Sequence, residues 1–561
     1  MKIIFSIILF FALAINLCGQ SLDWNWTIPF QRLENERSIF PRQLFVDKEN
    51  NSYVVAIRRA SILVDGDSLA FPDQVRQPAV YFVSKFDVNG QNIWTKGFDS
   101  EYRDLSIDVD INNKLHVFYR AEKEGRQQGY AFIHQTFNNS QDSVITVDTI
   151  LIHDRSFLPR LGARNKFHID KDLNTYFFVN NIGEDQIRIM GIDTTIEINS
   201  EASLSIIKYN IDGQLLWRQQ IDSDEIEAFH FAINDQNELS LAGEFTEFLV
   251  VEGDTLVGET SNASDVFCLQ FSTDGSLKWK RKFGIRISNE YINQVLVKGQ
   301  DIYLTGTIDF GTQTFDQFTI EVSRFDPYLL KLNAADGSVQ DVINLPIYAA
   351  GRTFTIDDED NIFLLGEYNG YDYPNVLGPD TLPNTSGFLL PDNIYIAAID
   401  QTDGFKIKNG FAITGQQDLS VLSARWTGQN NISILGNYEW DINIGEETLV
   451  ANYLDVLGVY DMYLANFSLD LALSINVLDE KNPFSIFPNP SRGNFNIQKS
   501  ADFSFNQNAS YTIYNLEGKK VSTGVFTNQT LKIQETIPGK GLYILEVVAD
   551  QKVYVQRIVV H

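Results

Sequence analysis

FCLQFSTDGSLKWKRKF, residues 267–283, decides the fold. Two alternating runs flank Asp274–Gly275. That pairing is the strongest short-range signal for a β-hairpin, because Asn-Gly and Asp-Gly tolerate the positive φ of tight turns. The design recurs as YFVSKFDVNGQNIWTKGF at 81–98, SIIKYNIDGQLLWRQQI at 205–221, YLLKLNAADGSVQDVI at 328–343 and YIAAIDQTDGFKIKNGF at 395–411. A degraded copy, AFIHQTFNNSQDSVIT, occupies 131–146, and a last copy stops at YLANFSLD, ending at Asp470.

An Asx-rich turn leading into an apolar run precedes each hairpin. It reads DKENNSYVVA at 47–56, DINNKLHVFY at 110–119, DKDLNTYFFV at 170–179, NDQNELSLAG at 234–243, KGQDIYLTG at 298–306, DDEDNIFLLG at 357–366 and GQNNISILG at 428–436. Aligned on Asn51, Asn113, Asn174, Asn237, Asp301, Asn361 and Asn431, these turns define seven repeats with a period of roughly 62 residues. The fourth strand of a repeat carries Trp-x-x-x-apolar, as in Trp94/Phe98, Trp217/Ile221 and Trp279/Phe283, but the seventh repeat lacks it. The same spacing stands at the other end of the chain, in Trp26/Phe30. Circular closure explains both facts, since an N-terminal strand that completes the last repeat removes two exposed sheet edges. The expected fold is all-β: a seven-bladed β-propeller over residues 21–475, with a linear solenoid as the alternative. The repeats resemble bacterial β-propeller repeats with a D-x-x-G-N turn and a K-x-D-x-x-G-x-x-x-W hairpin. The hairpin Lys is present as Lys85, Lys208 and Lys331 and replaced by Gln270, Ala398 and Asn466. Such repeats identify a fold, not a function.

At the N-terminus, MKIIFSIILFFALAINLCGQ (1–20) places Lys2 before an apolar run, Ile3–Ile15, and then Cys18, Gly19 and Gln20. It reads as a secretory signal peptide cleaved near Gly19 or Gln20. Lipidation at Cys18 is the alternative, and Leu17 is a poor fit to it. No later apolar run reaches the roughly 18 residues of a transmembrane helix. The chain of 561 residues has 44 Lys+Arg and 73 Asp+Glu, a net charge of −29, with 44% hydrophobic residues. That is too apolar for a disordered acidic chain, and too acidic for a nucleic-acid or anionic-membrane partner. Two cysteines make no disulfide framework.

After about residue 475 the period stops. Residues 476–483 read as a linker, and 484–561 as an independent antiparallel sandwich with hairpins around Glu517–Gly518 and Ala549–Asp550. FPNP at 487–490, the turn of Asn515–Gly518 and GLYILEV at 541–547 resemble the type A sorting domain of the type IX secretion system of Bacteroidota. The motif residues are Pro488, Asn489, Pro490, Gly493, Gly518, Gly541 and Tyr543. The usual basic strand near the terminus is reduced to Gln556–Arg557–Ile558. The resemblance implies passage across the outer membrane by the secretion machinery, then release or attachment at the cell surface. An immunoglobulin-like binding module is the alternative.

Catalytic signals are sparse. Gly66–Leu69 spells GDSL, a hydrolase nucleophile block, but no Asp-x-x-His follows, and the string recurs as Gly253–Leu256 and Pro379–Leu382, so it reads as a repeated hairpin. Its Asp-Ser/Thr pairs, with Asp148–Thr149, resemble O-glycosylation signals of Bacteroidota. Asp108–Asp110–Asn112 and Asp170–Asp172–Asn174 alternate oxygens as a calcium loop does, yet lack its Gly and terminal Glu. Asx turns explain them equally. The six His have no metal-binding spacing, and no P-loop is present. Carboxylate pairs for glycoside hydrolysis are decided only by geometry. No catalytic, cofactor or metal residue is assigned. The expected function is binding of a glycan or protein, with the long insertions 181–202 and 368–393 as candidate ligand loops. The alternative is a polysaccharide-processing enzyme in the central channel. Converging Asp, Glu, Arg or His would favour the enzyme, and a smooth or apolar channel with aromatic loops would favour binding.

Overall fold

The computed structural model describes residues 22–560 apart from 34–37, 59–60, 65–66, 70–79, 99–102, 123–129, 138–143, 154–166, 183–184, 190–194, 199–201, 225, 260–262, 285–289, 323–324, 370–374, 384–391, 446, 453–458, 469–483, 490, 501–508, 516–518, 528–531, 538 and 550–551. The segment 1–20, the linker 476–483, Pro490 and Gly518 lie outside the described residues. The described chain is strand and turn without a helix, and it divides into two compact units, Met1–Leu469 and Asp470–His561.

In the first unit each repeat builds one antiparallel meander of four strands. The fourth repeat shows the pattern: Ile226–Ile233, Leu239–Phe245, Asp265–Phe271 and Leu277–Phe283 pair in that order. The same order starts at Phe40, Arg103, Phe167, Glu290, Ala349 and Leu419 in the other repeats. The last meander takes its fourth strand from the other end of the chain. Asp23–Arg32 lies antiparallel to Asp461–Ser468, with Asp23 opposite Ser468 and Phe30 opposite Met462.

Local chemistry explains the repetition. Each Asx turn enters the left-handed region, at Asn50, Asn113, Leu173, Asn237, Gly299, Asp360 and Asn430, with φ from 58° to 65°; the last turn adds Gly428 and Gln429. Asn, Asp and Gly tolerate that region, and the turn Asp or Asn holds it by accepting two backbone N–H groups. Asp110, for example, accepts those of Asn112 and Lys114, both at 2.8 Å. The turn glycines of the five intact hairpins, Gly90, Gly213, Gly275, Gly337 and Gly404, are also left-handed.

The second and third strands are covered on both faces, so they read as apolar runs; Leu239–Phe245 and Asp265–Phe271 are buried throughout. The core lies between neighbouring sheets. Tyr176, Phe178, Leu204 and Ile206 of the third repeat pack with Phe229, Leu241, Phe267 and Leu269 of the fourth. Ile28, Phe30, Leu435 and Met462 of the last sheet pack with Val54, Ala56 and Phe82 of the first.

In three sheets the fourth-strand Trp reaches the hairpin of the next. Trp217 lies over the hairpin Gly275 of the following repeat, and its Nε1 donates to the Thr273 carbonyl at 3.0 Å. Trp279 treats Gly337 and Ala334 the same way, at 2.9 Å. Trp26, on the N-terminal strand, covers Gly90 of the first repeat and donates to Val88 at 3.0 Å.

In the second unit, Phe484–Phe487, Asn494–Lys499 and Lys532–Thr536 form one sheet. Lys520–Phe526, Ala509–Asn515, Gly541–Ala549 and Lys552–Val560 form another. One core, including Phe484, Phe495, Ile513, Leu545 and Ile558, draws on both.

Candidate functional site

The first strands of five repeats (Phe40–Val46, Ile226–Ile233, Glu290–Lys298, Ala349–Ile356 and Leu419–Trp426) converge on one cavity of about 100 Å³. From Ile226–Ile233 onward each packs against the next, and Leu419–Trp426 packs against Phe40–Val46. Four of these strands slip register at the same point: between Pro41 and Gln43, Ile292 and Gln294, Gly351 and Thr353, and Val421 and Ser423. The extra residues are Arg42, Asn293, Arg352 and Leu422, and all four line the cavity. A bulge re-aims a side chain that strict alternation would send elsewhere.

The lining is polar and cationic. Arg42, Arg352, Arg425 and His230 share it with Gln43, Asn293, Gln294, Thr353 and Ser423, and with apolar residues that include Phe45, Phe229, Phe231 and Leu296. Among the described residues no Asp or Glu lines it. Side chains and backbone tie the strands together around this wall. Gln43 accepts the Ile107 N–H at 3.2 Å, Gln294 accepts that of Phe354 at 2.8 Å, and Thr353 accepts that of Ala424 at 3.0 Å. Asp108 accepts the Ile169 N–H at 2.9 Å and lies 2.7 Å from His168 Nδ1. Burial lowers the His168 pKa, but the Asp108 carboxylate outweighs burial and holds it above the ordinary histidine value.

The other sequence candidates resolve into structure. In the two calcium-like strings, Oδ1 of Asp110 and of Asp170 is occupied by turn N–H groups. Asp108 faces His168 instead, and no group of three or more His, Cys, Asp or Glu is placed to hold a metal among the described residues. The GDSL residues Asp67–Leu69 form a hairpin strand with Ile62–Val64, paired onto the N-terminal strand. Its counterpart Asp254–Val257 pairs with Phe248–Val251, which lies on Leu215–Ser223 of the preceding repeat. Insertion 181–202 behaves likewise: Asp185–Ile189 and Thr195–Ile198 form a hairpin on Val144–His153. In insertion 368–393 the described part adds the short hairpin Val376–Leu377 with Asp380–Thr381. The described hairpin of 181–202 is therefore a sheet addition, whereas that of 368–393 pairs only with itself.

Lys85 stands 3.1 Å from Asp47 and over the Tyr53 ring, and Lys208 repeats this with Asp170 and Tyr176. Lys331 does so with Asp301 and Tyr303. Where Lys is replaced, Gln270 accepts from Ser240, and Asn466 donates to Ser433. In the second repeat His116 takes the Tyr place, 3.2 Å from Asp110 and 2.9 Å from His134. Burial, helped by His116, pushes the His134 pKa down to about 3. These groups stabilise the Asx turns.

In the C-terminal unit, Asn489 Oδ1 accepts the Val559 N–H at 2.8 Å, fixing the Pro488–Asn489 turn to the last strand. Gly493 has φ +100°, and a β-carbon there would lie 2.6 Å from the Ile537 carbonyl. Gly541 has φ +147°. Tyr543, buried in the core, donates to the Gly539 carbonyl at 3.0 Å.

No curated protein matches the chain in sequence. Among solved structures it is similar to the β-propeller domain of the Trilobed protease from Pyrococcus furiosus, with 8% identity, 80% of this chain and 97% of that chain covered, and a TM-score of 0.30. It is also similar to a europium-containing methanol dehydrogenase, with 9% identity, 78% and 93% covered and a TM-score of 0.34. A quinohemoprotein alcohol dehydrogenase from Pseudomonas putida HK5 overlaps with 10% identity, 80% and 76% covered and a TM-score of 0.37. Overlaps at these scores carry no functional inference. Among the described residues no helix is long and apolar enough to cross a membrane. Residues 485–561 match the family described as the secretion system C-terminal sorting domain, so this chain carries a type IX secretion sorting domain and is exported to the cell surface or extracellular space.

Proposed function

We propose that residues 21–475 form a single seven-bladed β-propeller, closed by the N-terminal strand, that works outside the cell as a binding module for a glycan or protein. A signal peptide at 1–20 takes the chain across the inner membrane, and residues 484–561 take it through the type IX machinery. There Pro488, Asn489, Pro490, Gly493, Gly518, Gly541 and Tyr543 shape the recognised sandwich. Two observations support the ring: the strand pairing of Asp23–Arg32 with Asp461–Ser468, and Trp26 covering Gly90 as Trp217 covers Gly275.

The observation that carries the binding reading is the cavity lining. Glycoside hydrolysis ordinarily uses two carboxylates flanking the scissile bond, and the described lining supplies none. By the criterion set for the channel, the convergence of His230 with three arginines from three other repeats favours the second reading, a polysaccharide-processing enzyme, and only the missing carboxylates weigh against it. The experiment is a glycan array together with a polysaccharide-hydrolysis screen on the full chain. Saturable retention of a ligand without turnover is expected, and turnover of any polysaccharide sinks the binding reading.

A further inference from the structure

In a chain with 73 carboxylates and 44 Lys+Arg, arginines are expected to find acidic partners. The cavity departs from that. Arg352 is paired, its Nε 2.6 Å from Glu367. Arg425 donates to the Ala424 carbonyl at 2.8 Å, and burial without a carboxylate beside it pulls its pKa down to about 10. Arg42 is exposed to the cavity and makes no hydrogen bond or ion pair among the described residues.

A second, independent observation points the same way. Gln294 lines the cavity and is 8% exposed. Its Oε1 accepts from Thr353 Oγ1 and the Phe354 N–H, both at 2.8 Å, while its buried Nε2 has no partner. A buried donor left unmade is costly, so native interiors rarely keep one without an acceptor. Unneutralised guanidinium groups and an idle amide donor around one small space lack a negatively charged acceptor. Guanidinium forks match the geometry of carboxylate and sulfate oxygens.

We propose that this cavity binds an oxyanion, a carboxylate or sulfate group, with Arg42 and Arg425 supplying the charge and Gln294 Nε2 the orienting donor. The proposal rests on the binding-module reading and names its ligand chemistry. A space of about 100 Å³ takes one such group rather than a length of polymer. The group arrives either as a free inorganic ion or as the acidic substituent of a sugar.

Calorimetric titration of the full chain with sulfate, glucuronate and uncharged glucose tests this. Saturable binding of at least one anion and none of glucose is expected, weakening as NaCl rises because the charges are screened. Tighter glucuronate than sulfate identifies the sugar-borne source, and the reverse order the inorganic one. Arg42→Gln, at an exposed side chain that leaves the fold intact, lowers affinity about tenfold, whereas Arg425→Lys, which keeps the charge, loses less. Absence of saturable anion binding, or equal affinity in the Arg42→Gln/Arg425→Gln double variant with native circular dichroism, overturns the proposal. A neutral glycan retained on the array without anion binding overturns this inference alone. Polysaccharide turnover with anion binding intact overturns only the binding-module reading.

Discussion

The contact of Trp217 with Gly275 shows how one residue pair holds neighbouring sheets in register. Gly275 has φ +87°, and a β-carbon there would lie 2.6 Å from Trp217 Cδ2. Gly213 is an internal control, with φ +74° and nothing within 4 Å of the added carbon. Gly213→Ala therefore incurs only the left-handed penalty, about 1–2 kcal/mol. Gly275→Ala adds overpacking and costs about 2–4 kcal/mol in all. Urea midpoints of the two variants separate these contributions, and equal losses contradict the Trp–Gly contact. A second residue-scale expectation concerns His168 and Asp108, 2.7 Å apart on the first strands of the third and second repeats. Because the folded pKa is raised above 6.5, the pair's contribution is fully present below that value and fades as pH rises through the folded pKa. His168→Gln is expected to cost about 1 kcal/mol at pH 6 and little at pH 9. A loss that grows with pH contradicts the assignment.

At the scale of elements, the N-terminal strand carries the most consequence for the least sequence. Its last residue, Arg32, is fully buried against Asp461, with Nε at 2.7 Å and the backbone N–H at 2.9 Å from the same carboxylate oxygen. Removing one charge of such a pair strands the other in a dry environment, so Asp461→Asn is expected to cost about 3–5 kcal/mol. Arg32→Met/Asp461→Asn removes both charges, keeps an acceptor for the backbone N–H, and recovers much of the loss. Denaturant titration of the single and double variants checks this, and a double variant less stable than Asp461→Asn refutes it. The strands and turns were legible because their causes are local: alternation of period two, Asp-Gly hairpins, and Asn or Asp at a left-handed position. Leu173 breaks that last rule while taking the same conformation, φ 64°, so there the repeat rather than the residue revealed the turn. The cavity was not legible. Its bulges place Arg42, Asn293, Arg352 and Leu422 at one structural position, and a position that takes Arg, Asn or Leu leaves no motif. The insertion 181–202 read as a ligand loop, because nothing local states that its hairpin pairs with the preceding sheet.

For the whole molecule, the central question is whether the exported body depends on the domain that sends it. The described core cluster of the C-terminal unit, from Phe484 to Val560, contains no residue of the first unit. The last meander of the first unit, in turn, takes its fourth strand from Asp23–Arg32, and no described strand beyond Ser468 pairs with any of the seven. Deleting 484–561 therefore strips no described side chain from the clusters between the sheets, and burial is the main source of their stability. Two outcomes should follow in a host that carries the type IX system. The truncated chain keeps the urea midpoint of its first unit unchanged, and it stays behind the outer membrane instead of reaching the surface or medium. Fractionation of cells reads the second outcome, and tryptophan fluorescence reads the first, because all seven Trp lie at or before Trp440. A lowered midpoint would mean that the tail completes the fold of the body, and continued export would mean that another segment is recognised. With the midpoint held and export lost, the tail is an address, and any binding activity belongs to the body alone.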